Sequence, residues 1–310
     1  MDFSALNPVA LMVALIAAST PLLFAAIGEL VVEKSGVLNL GVEGMMIVGA
    51  IAGFAVGREK GSPALGVLGA AAAVMMLAAM FALMTQGLMS NQVATGLALT
   101  LFGLGLAALI GQPYAGVPGP AFPRLDIPGL SDLPVVGRLL FSHDALVYLS
   151  LALAGGVAFT LSRTRLGLVI RAVGENHDAA HAIGYRVRAV RTGAILFGGA
   201  CAGVGGAYLS LVIAPLWSEG MTAGRGWIAL AIVVFAAWRP WRAVLGAYVF
   251  GGVSIAQLNL QALGVAVESQ YLSMTPYLVT ILVLVLISST RSRATLGAPA
   301  CLGRPFFASA

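Results

Sequence analysis

Apolar runs close to twenty residues long recur along this chain, as in "VALMVALIAASTPLLFAAI" (residues 9–27) and "GVLGAAAAVMMLAAMFALM" (66–84). About 20 mostly apolar residues is the length an α-helix needs to cross the hydrocarbon core of a bilayer. The backbone there must satisfy its own hydrogen bonds, which helices do within one segment. Composition removes the soluble alternative. Only 9% of the 310 residues are charged, 59% are hydrophobic and the mean hydropathy is +0.97. Soluble domains are about a quarter charged, so this chain cannot dress a core with a hydrated surface. The sequence reads as an all-α polytopic membrane protein. Nine crossings are expected, near 8–32, 36–57, 63–86, 93–112, 145–163, 192–214, 221–238, 241–260 and 273–289.

Charge sets the expected orientation. With the amino terminus outside, cytoplasmic segments hold Lys34, the six arginines from Arg163 to Arg191, Arg239, Arg242, Arg291, Arg293 and Arg304. The outside keeps Arg58, Lys60, Arg124, Arg138 and Arg225. Twelve of seventeen cations inside satisfies the positive-inside rule, and the inverse arrangement reverses it. The same rule accounts for the net charge of +5 without nucleic acid. Cys201 and Cys301 do not suggest a disulfide framework. The first cation is Lys34, so no cleaved signal peptide is expected. The Pro- and Gly-rich segment 113–144 is expected outside, as a cap or a docking surface. The chain reads as one transmembrane domain over 1–310, with 164–191 as a cytoplasmic loop and 290–310 as a cytoplasmic tail.

One stretch departs from the apolar background: "RAVGENHDAAHAIGYRVRAVRTG" (171–193) carries four arginines, two acids and two histidines. Its centre predicts a short helix. Asn176 is a good N-cap, Asp178 in the first turn favours the positive end of the dipole, and Gly184 suits a left-handed stop. Such an element is either a solvated connector or a contact for a cytoplasmic protein. His177 and His181 share a helical face at a spacing that zinc accepts, but "HDAAH" lacks the glutamate of metalloproteases and no third ligand lies nearby. No metal site is expected.

Polar residues inside spans form the second signal, because burying them in lipid is costly. In "SGVLNLGVEGMMIVGA" (35–50), Asn39 and Glu43 lie among Gly36, Gly41 and Gly44. The glycines permit an interrupted second span lining a cavity, or simply close helix packing. Asn91 and Gln92 in "MSNQVATGLALT" (89–100), and Trp217 and Glu219 in "PLWSEGMTAGRGW" (215–227), complete the candidate pathway set. Trp217 and Trp227 also suit an interfacial belt, and Glu219 and Arg225 are placed either to form an ion pair or to meet a partner. No Ser/His/Asp grouping, Cys/His cluster or G-x-x-x-x-G-K-[ST] loop is present, so no catalysis and no nucleotide hydrolysis by this chain is expected.

Taken together, "EKSGVLNLGVEGMM" (33–46), "NQVATGLAL" (91–99), "GENHDAAHAIGYRVRAVRTGA" (174–194), "WSEGMTAGRGWIALAIVVFAAWRP" (217–240) and "PYLVTILVLVL" (276–286) resemble, in order, permease subunits of bacterial ATP-binding-cassette importers. The likeness is to the ribose, branched-chain amino acid and nucleoside branch, and most to the shorter permease of nucleoside or simple-sugar systems. The resemblance implies that the E-N-x-x-A-A-x-x-x-G pattern on Glu175, Asn176, Ala179, Ala180 and Gly184, with Arg171, His177 and Asp178 beside it, is a coupling helix docking on an ATPase. His177–Asp178 stands where a proline commonly follows the asparagine, and Tyr185 where a β-branched residue is usual. Three protein partners are implied: a cytoplasmic ATPase binding ATP and Mg, a second homologous permease, and an external solute-binding protein. The chain itself binds no cofactor on this reading, and its place is a bacterial inner membrane. The competing class is an ion-coupled secondary transporter, for which Glu29 and Glu43 are the plausible intramembrane acids.

Overall fold

The computed structural model describes residues 7–125, 136–262, 271, 274–289 and 297–307. Among these residues the regular structure is helical, with only isolated bridge pairs and no strand. Helix α1 (Pro8–Lys34) starts behind Asn7, whose side chain accepts from the amides of Val9 and Ala10, with Pro8 at its first position. It stops where Gly36 turns left-handed (φ +89°). Residues 36–41 are irregular, and α2 (Val42–Lys60) then runs to a left-handed Gly61. Helix α3 (Pro63–Ala82) passes through a π-turn at Leu83–Gly87 before α4 (Gln92–Gly111).

Short α5 (Val136–Leu140) precedes α6 (Ala145–Arg163), which Asp144 caps through Leu146 and Val147. Two amphipathic pieces follow, α7 (Arg165–Glu175) and α8 (His177–Ala182). Next come α9 (Val187–Tyr208), α10 (Arg225–Phe235), α11 (Pro240–Ala262) and α12 (Thr275–Ser289).

Among the described residues, six helical stretches are long and apolar enough to cross a membrane: Pro8–Lys34, Pro63–Gly87, Gln92–Tyr114, Ala145–Arg163, Val187–Ile213 and Pro240–Gln261. The chain is therefore a multi-pass membrane protein. Expected boundaries shift where polar contacts decide them. Of the expected span 36–57, only the part from Val42 is helical, because 36–41 is held as irregular chain by neighbouring side chains. The sixth begins at Val187 rather than 192, because Arg191, inside the helix, is buried with partners at the end of α1, in the tail and on α8. The seventh holds only 11 helical residues, about 16 Å at 1.5 Å per residue.

Helix α9 is the hub, packed on α1, α2 and α3. Small residues bring these backbones together. A Cβ on Gly206 would lie 2.0 Å from the Met46 carbonyl oxygen, and one on Gly49 would lie 2.6 Å from that of Gly203. Without a solvent-driven hydrophobic force between helices in lipid, such close packing is the main cohesion. Outward positions such as Met76, Leu101, Phe159 and Ile281 are exposed large apolar side chains, as a lipid-facing surface requires.

Candidate functional site

Two polar constellations stand out, one within the bundle and one at the end where α1 finishes. The inner one begins with the irregular 36–41 segment. Non-helical backbone buried in protein persists only when other groups satisfy it, and here they do. The amide of Leu38 donates to Gln92 Oε1 (2.9 Å), that of Asn39 to Glu29 Oε1 (3.2 Å), and that of Gly41 to Asn39 Oδ1 (2.9 Å). Thr100 Oγ1 donates to the Leu40 carbonyl at 3.0 Å. Gly96 on α4 makes room, since a Cβ there would stand 2.7 Å from the Leu40 nitrogen. Glu29, Asn39 and Gln92 are all buried. Gln92 Nε2 is buried without a hydrogen-bond partner.

Glu43, in the first turn of α2, faces the start of α10. Thr222 Oγ1 (2.6 Å) and the Gly224 amide (2.9 Å) donate to its Oε1, and the Gly226 amide (2.6 Å) donates to its Oε2. The N-cap of α10 is Gly224, which has no side chain to offer. The Glu43 carboxylate thus caps α10 from another helix and meets the positive end of its dipole. Gly226 is required for this approach, because a Cβ there would lie 2.5 Å from the Glu43 backbone. Among the expected pathway residues, the structure gathers Asn39 and Gln92 around the 36–41 backbone and puts Glu43 at its own joint.

The other three lie elsewhere. Asn91 caps α4 through the Ala94 amide (3.0 Å). Trp217 is buried against Gly111 rather than spread at an interface. Glu219 is exposed, and Arg225 donates instead to the carbonyls of Met221 and Thr222.

The second constellation surrounds α8. Asn176 Oδ1 accepts from the Ala179 amide (3.0 Å), Asp178 sits in the first turn, and Gly184 turns left-handed at φ +95°. The two faces of α8 differ. Asp178, Ala179 and His181 point outward, while His177 and Ala180 are buried. Arg171 and Glu175 on α7 are exposed. His177 Nδ1 lies 3.1 Å from Arg191 Nη2, a donor that leaves this nitrogen to accept. Burial lowers the His177 pKa, the Arg191 charge lowers it further, and Asp178 opposes both. The lowered pKa and the Arg191 donor both favour the neutral ring, with Nδ1 accepting.

In the sequence Arg191 reads only as a cytoplasmic charge and Phe306 carries no local signal, yet both close this site. Phe306 stacks edge-on with His177 and His181 at centroid distances of 5.3 and 5.2 Å. Among the described residues no cluster of three or more His, Cys, Asp or Glu side chains is placed to hold a metal.

Residues 11–288 match the family model described as "Branched-chain amino acid transport system / permease component". A provisionally named glucose ABC transporter permease protein of Haloferax volcanii is 43% identical over 293 residues, covering 87% of this chain and 89% of its own. A nucleoside ABC transporter permease protein of Lactococcus lactis subsp. cremoris is 32% identical, covering 86% and 89%. A guanosine ABC transporter permease protein of Bacillus subtilis is 34% identical, covering 86% and 88%. No solved structure matches.

Proposed function

Because the chain belongs to the branched-chain amino acid transport system permease family, the permeases of ABC transporters, we propose that it forms half of the translocation pathway of an ATP-driven importer for a small polar solute. Nucleosides are the first candidate, supported by the nucleoside and guanosine names of two relatives. Simple sugars are the second reading, favoured by the 43% identity to the Haloferax volcanii protein. Hydrolysis belongs to a separate cytoplasmic ATPase. A second permease completes the pathway, and an external binding protein delivers the solute.

The observation that carries the coupling assignment is the capped six-residue helix α8, anchored by one face and open on the other. The exposed face, with Asp178, Ala179 and His181, is the docking surface for the ATPase. Arg171 and Glu175 flank it, and Gly184 closes it. Nine segments cross the membrane. α2, α10 and α12 join the six long apolar helices, and the 36–41 break makes the second crossing an interrupted one. The whole chain is one permease domain of a cell membrane, amino terminus out and carboxyl terminus in. Asn39, Glu43 and Gln92 shape the inner wall, with Asn91, Trp217 and Glu219 nearer its ends.

Affinity purification of the tagged chain in gentle detergent tests this reading, comparing wild type with a variant carrying Gly/Ser over 176–183. The expected result is an ATPase and a second permease with wild type, and selective loss of the ATPase in the variant. A chain that purifies alone in both forms overturns it. Competition between labelled guanosine and glucose for uptake then separates the two substrate readings.

A further inference from the structure

Arg191 is completely buried, and a buried guanidinium is costly unless its donors are used. Its partners are neutral and come from three separate parts of the chain. Nε donates to the Ser35 carbonyl at the end of α1 (3.2 Å), Nη1 to the Arg304 carbonyl in the tail (3.0 Å), and Nη2 faces His177 Nδ1 on α8 (3.1 Å). The tail is held along its length. Lys34 Nζ donates to the Gly297 carbonyl (2.8 Å), the Cys301 amide to the Gly174 carbonyl (2.9 Å), and the Gly303 amide to the Gly36 carbonyl (3.1 Å). Phe306, 3% exposed, completes a small apolar core with Val173 of α7, Ala180 of α8 and Val187 of α9.

A helix of six residues has no stability of its own in water. It transmits a push only if its inner face is fixed to something rigid. One backbone hydrogen bond ties the tail to α7 at Gly174 and another to Gly36 just after α1, the Phe306 wedge fixes it against α7, α8 and α9, and Arg191 links it to the end of α1.

We propose that residues 297–307 form a strap, keyed by Arg191 and Phe306, that joins α8 rigidly to α1 and α9 so that movement of a docked ATPase reaches the membrane-spanning helices. Arg191 and Phe306 are positioning residues in this joint, which rests on the reading of α8 as the coupling helix. Losing the strap leaves the Asn176 cap and the outward Asp178 and Ala179, which do not touch it, but frees His177 and His181 from Phe306 and so disconnects the docking face. The signature is uncoupling, with ATP hydrolysed and little solute moved.

Two measurements test the strap on the full chain in membranes, using Phe306→Ala, Phe306→Leu, Arg191→Gln and Arg191→Lys. The first needs no ATPase: maleimide labelling of the native, buried Cys301, quantified by peptide mass spectrometry against the denatured chain. Wild type and Phe306→Leu are expected to label slowly, and Phe306→Ala and Arg191→Gln at least tenfold faster. Arg191→Lys falls between, because an ammonium does not present the guanidinium's fixed fork. Wild-type labelling as fast as in the denatured chain overturns the strap.

The second measurement is solute moved per ATP in the reconstituted complex. Phe306→Ala is expected to keep the ATPase bound and hydrolysing while uptake falls at least tenfold, and Phe306→Leu to recover most of it. An unchanged ratio in Phe306→Ala, or equal loss of uptake and hydrolysis in both Phe306 variants, overturns the coupling role. Should Arg191→Gln not accumulate, the tail variants still decide the matter. Absence of any ATPase with wild type refutes the proposed function instead, and the labelling result still judges the strap.

Discussion

Glu43 accepts three hydrogen bonds from the 222–226 segment, and hydrogen bonds to a charged group contribute about 1.5–3 kcal/mol each. Glu43→Leu strands those donors in a buried site. It is expected to lower stability by about 3 kcal/mol or more, read as the unfolding midpoint in detergent, and to cut uptake at least tenfold. Glu43→Gln keeps one acceptor oxygen and should fall between. Equal midpoints for Leu and wild type would remove the capping role.

His177 gives a pH signature with a definite sign. Its folded pKa lies below the ordinary value of about 6.5, through burial and the Arg191 charge, with Arg304 adding to this and Asp178 opposing. The unfolded loop therefore binds more protons at low pH, and stability must rise with pH. The contribution is complete above the ordinary histidine value and is lost as pH falls through the depressed one. Hydrogen exchange at the amides of 174–182, corrected for intrinsic rate, should accelerate between pH 7 and 5. In His177→Gln, whose amide oxygen still accepts, it should stay flat. Acceleration of the same size in both would assign the effect to another group.

At the scale of elements, the irregular 36–41 segment depends on the absence of a side chain at Gly96. A Cβ there would stand 2.7 Å from the Leu40 nitrogen, whereas one on Gly105 of the same helix meets nothing within 4 Å. Gly96→Ala should lower the unfolding midpoint and uptake together. Gly105→Ala should be neutral or slightly stabilising, since alanine favours a helix interior by about 1 kcal/mol over glycine. Indistinguishable variants would mean that α4 does not need that close approach.

This pair also marks what the sequence made legible. Asn176, Asp178 and Gly184 define α8 by local chemistry alone, and the structure holds the cap, the first-turn acid and the left-handed stop. Gly36, Gly41 and Gly44 left interruption and packing both open, because a glycine does not say what approaches it. In the structure Gly36 ends α1, while Gly44 packs against Thr100 of α4. The contacts of Arg191, Phe306 and Glu43 join residues more than 100 positions apart in several cases. No local pattern reports such pairs.

For the whole molecule, charge and depth have to agree. The Lys34 end of α1, the α7–α8 loop, Arg191 and residues 297–307 meet at one end of the bundle. The positive-inside rule expects all of them on the cytoplasmic side. Elsewhere the 112–125 segment lies along the chain after α9, with Gly119 donating to the Pro215 carbonyl and Phe122 to that of Leu211. Tyr114 donates to Glu59 there at 2.7 Å, joining this segment to the far end of α2.

An odd number of missed crossings between the two ends would contradict that grouping, so labelling decides it. Lys60 and Arg186 are both exposed. With Cys201 and Cys301 replaced by serine, Lys60→Cys should react with an impermeant maleimide on intact cells. Arg186→Cys should react only after permeabilisation. The reversed pattern would invert the topology and take α8 away from any cytoplasmic ATPase. Reaction of both on intact cells would remove an odd number of crossings between residues 60 and 186, leaving the nine-crossing arrangement without support.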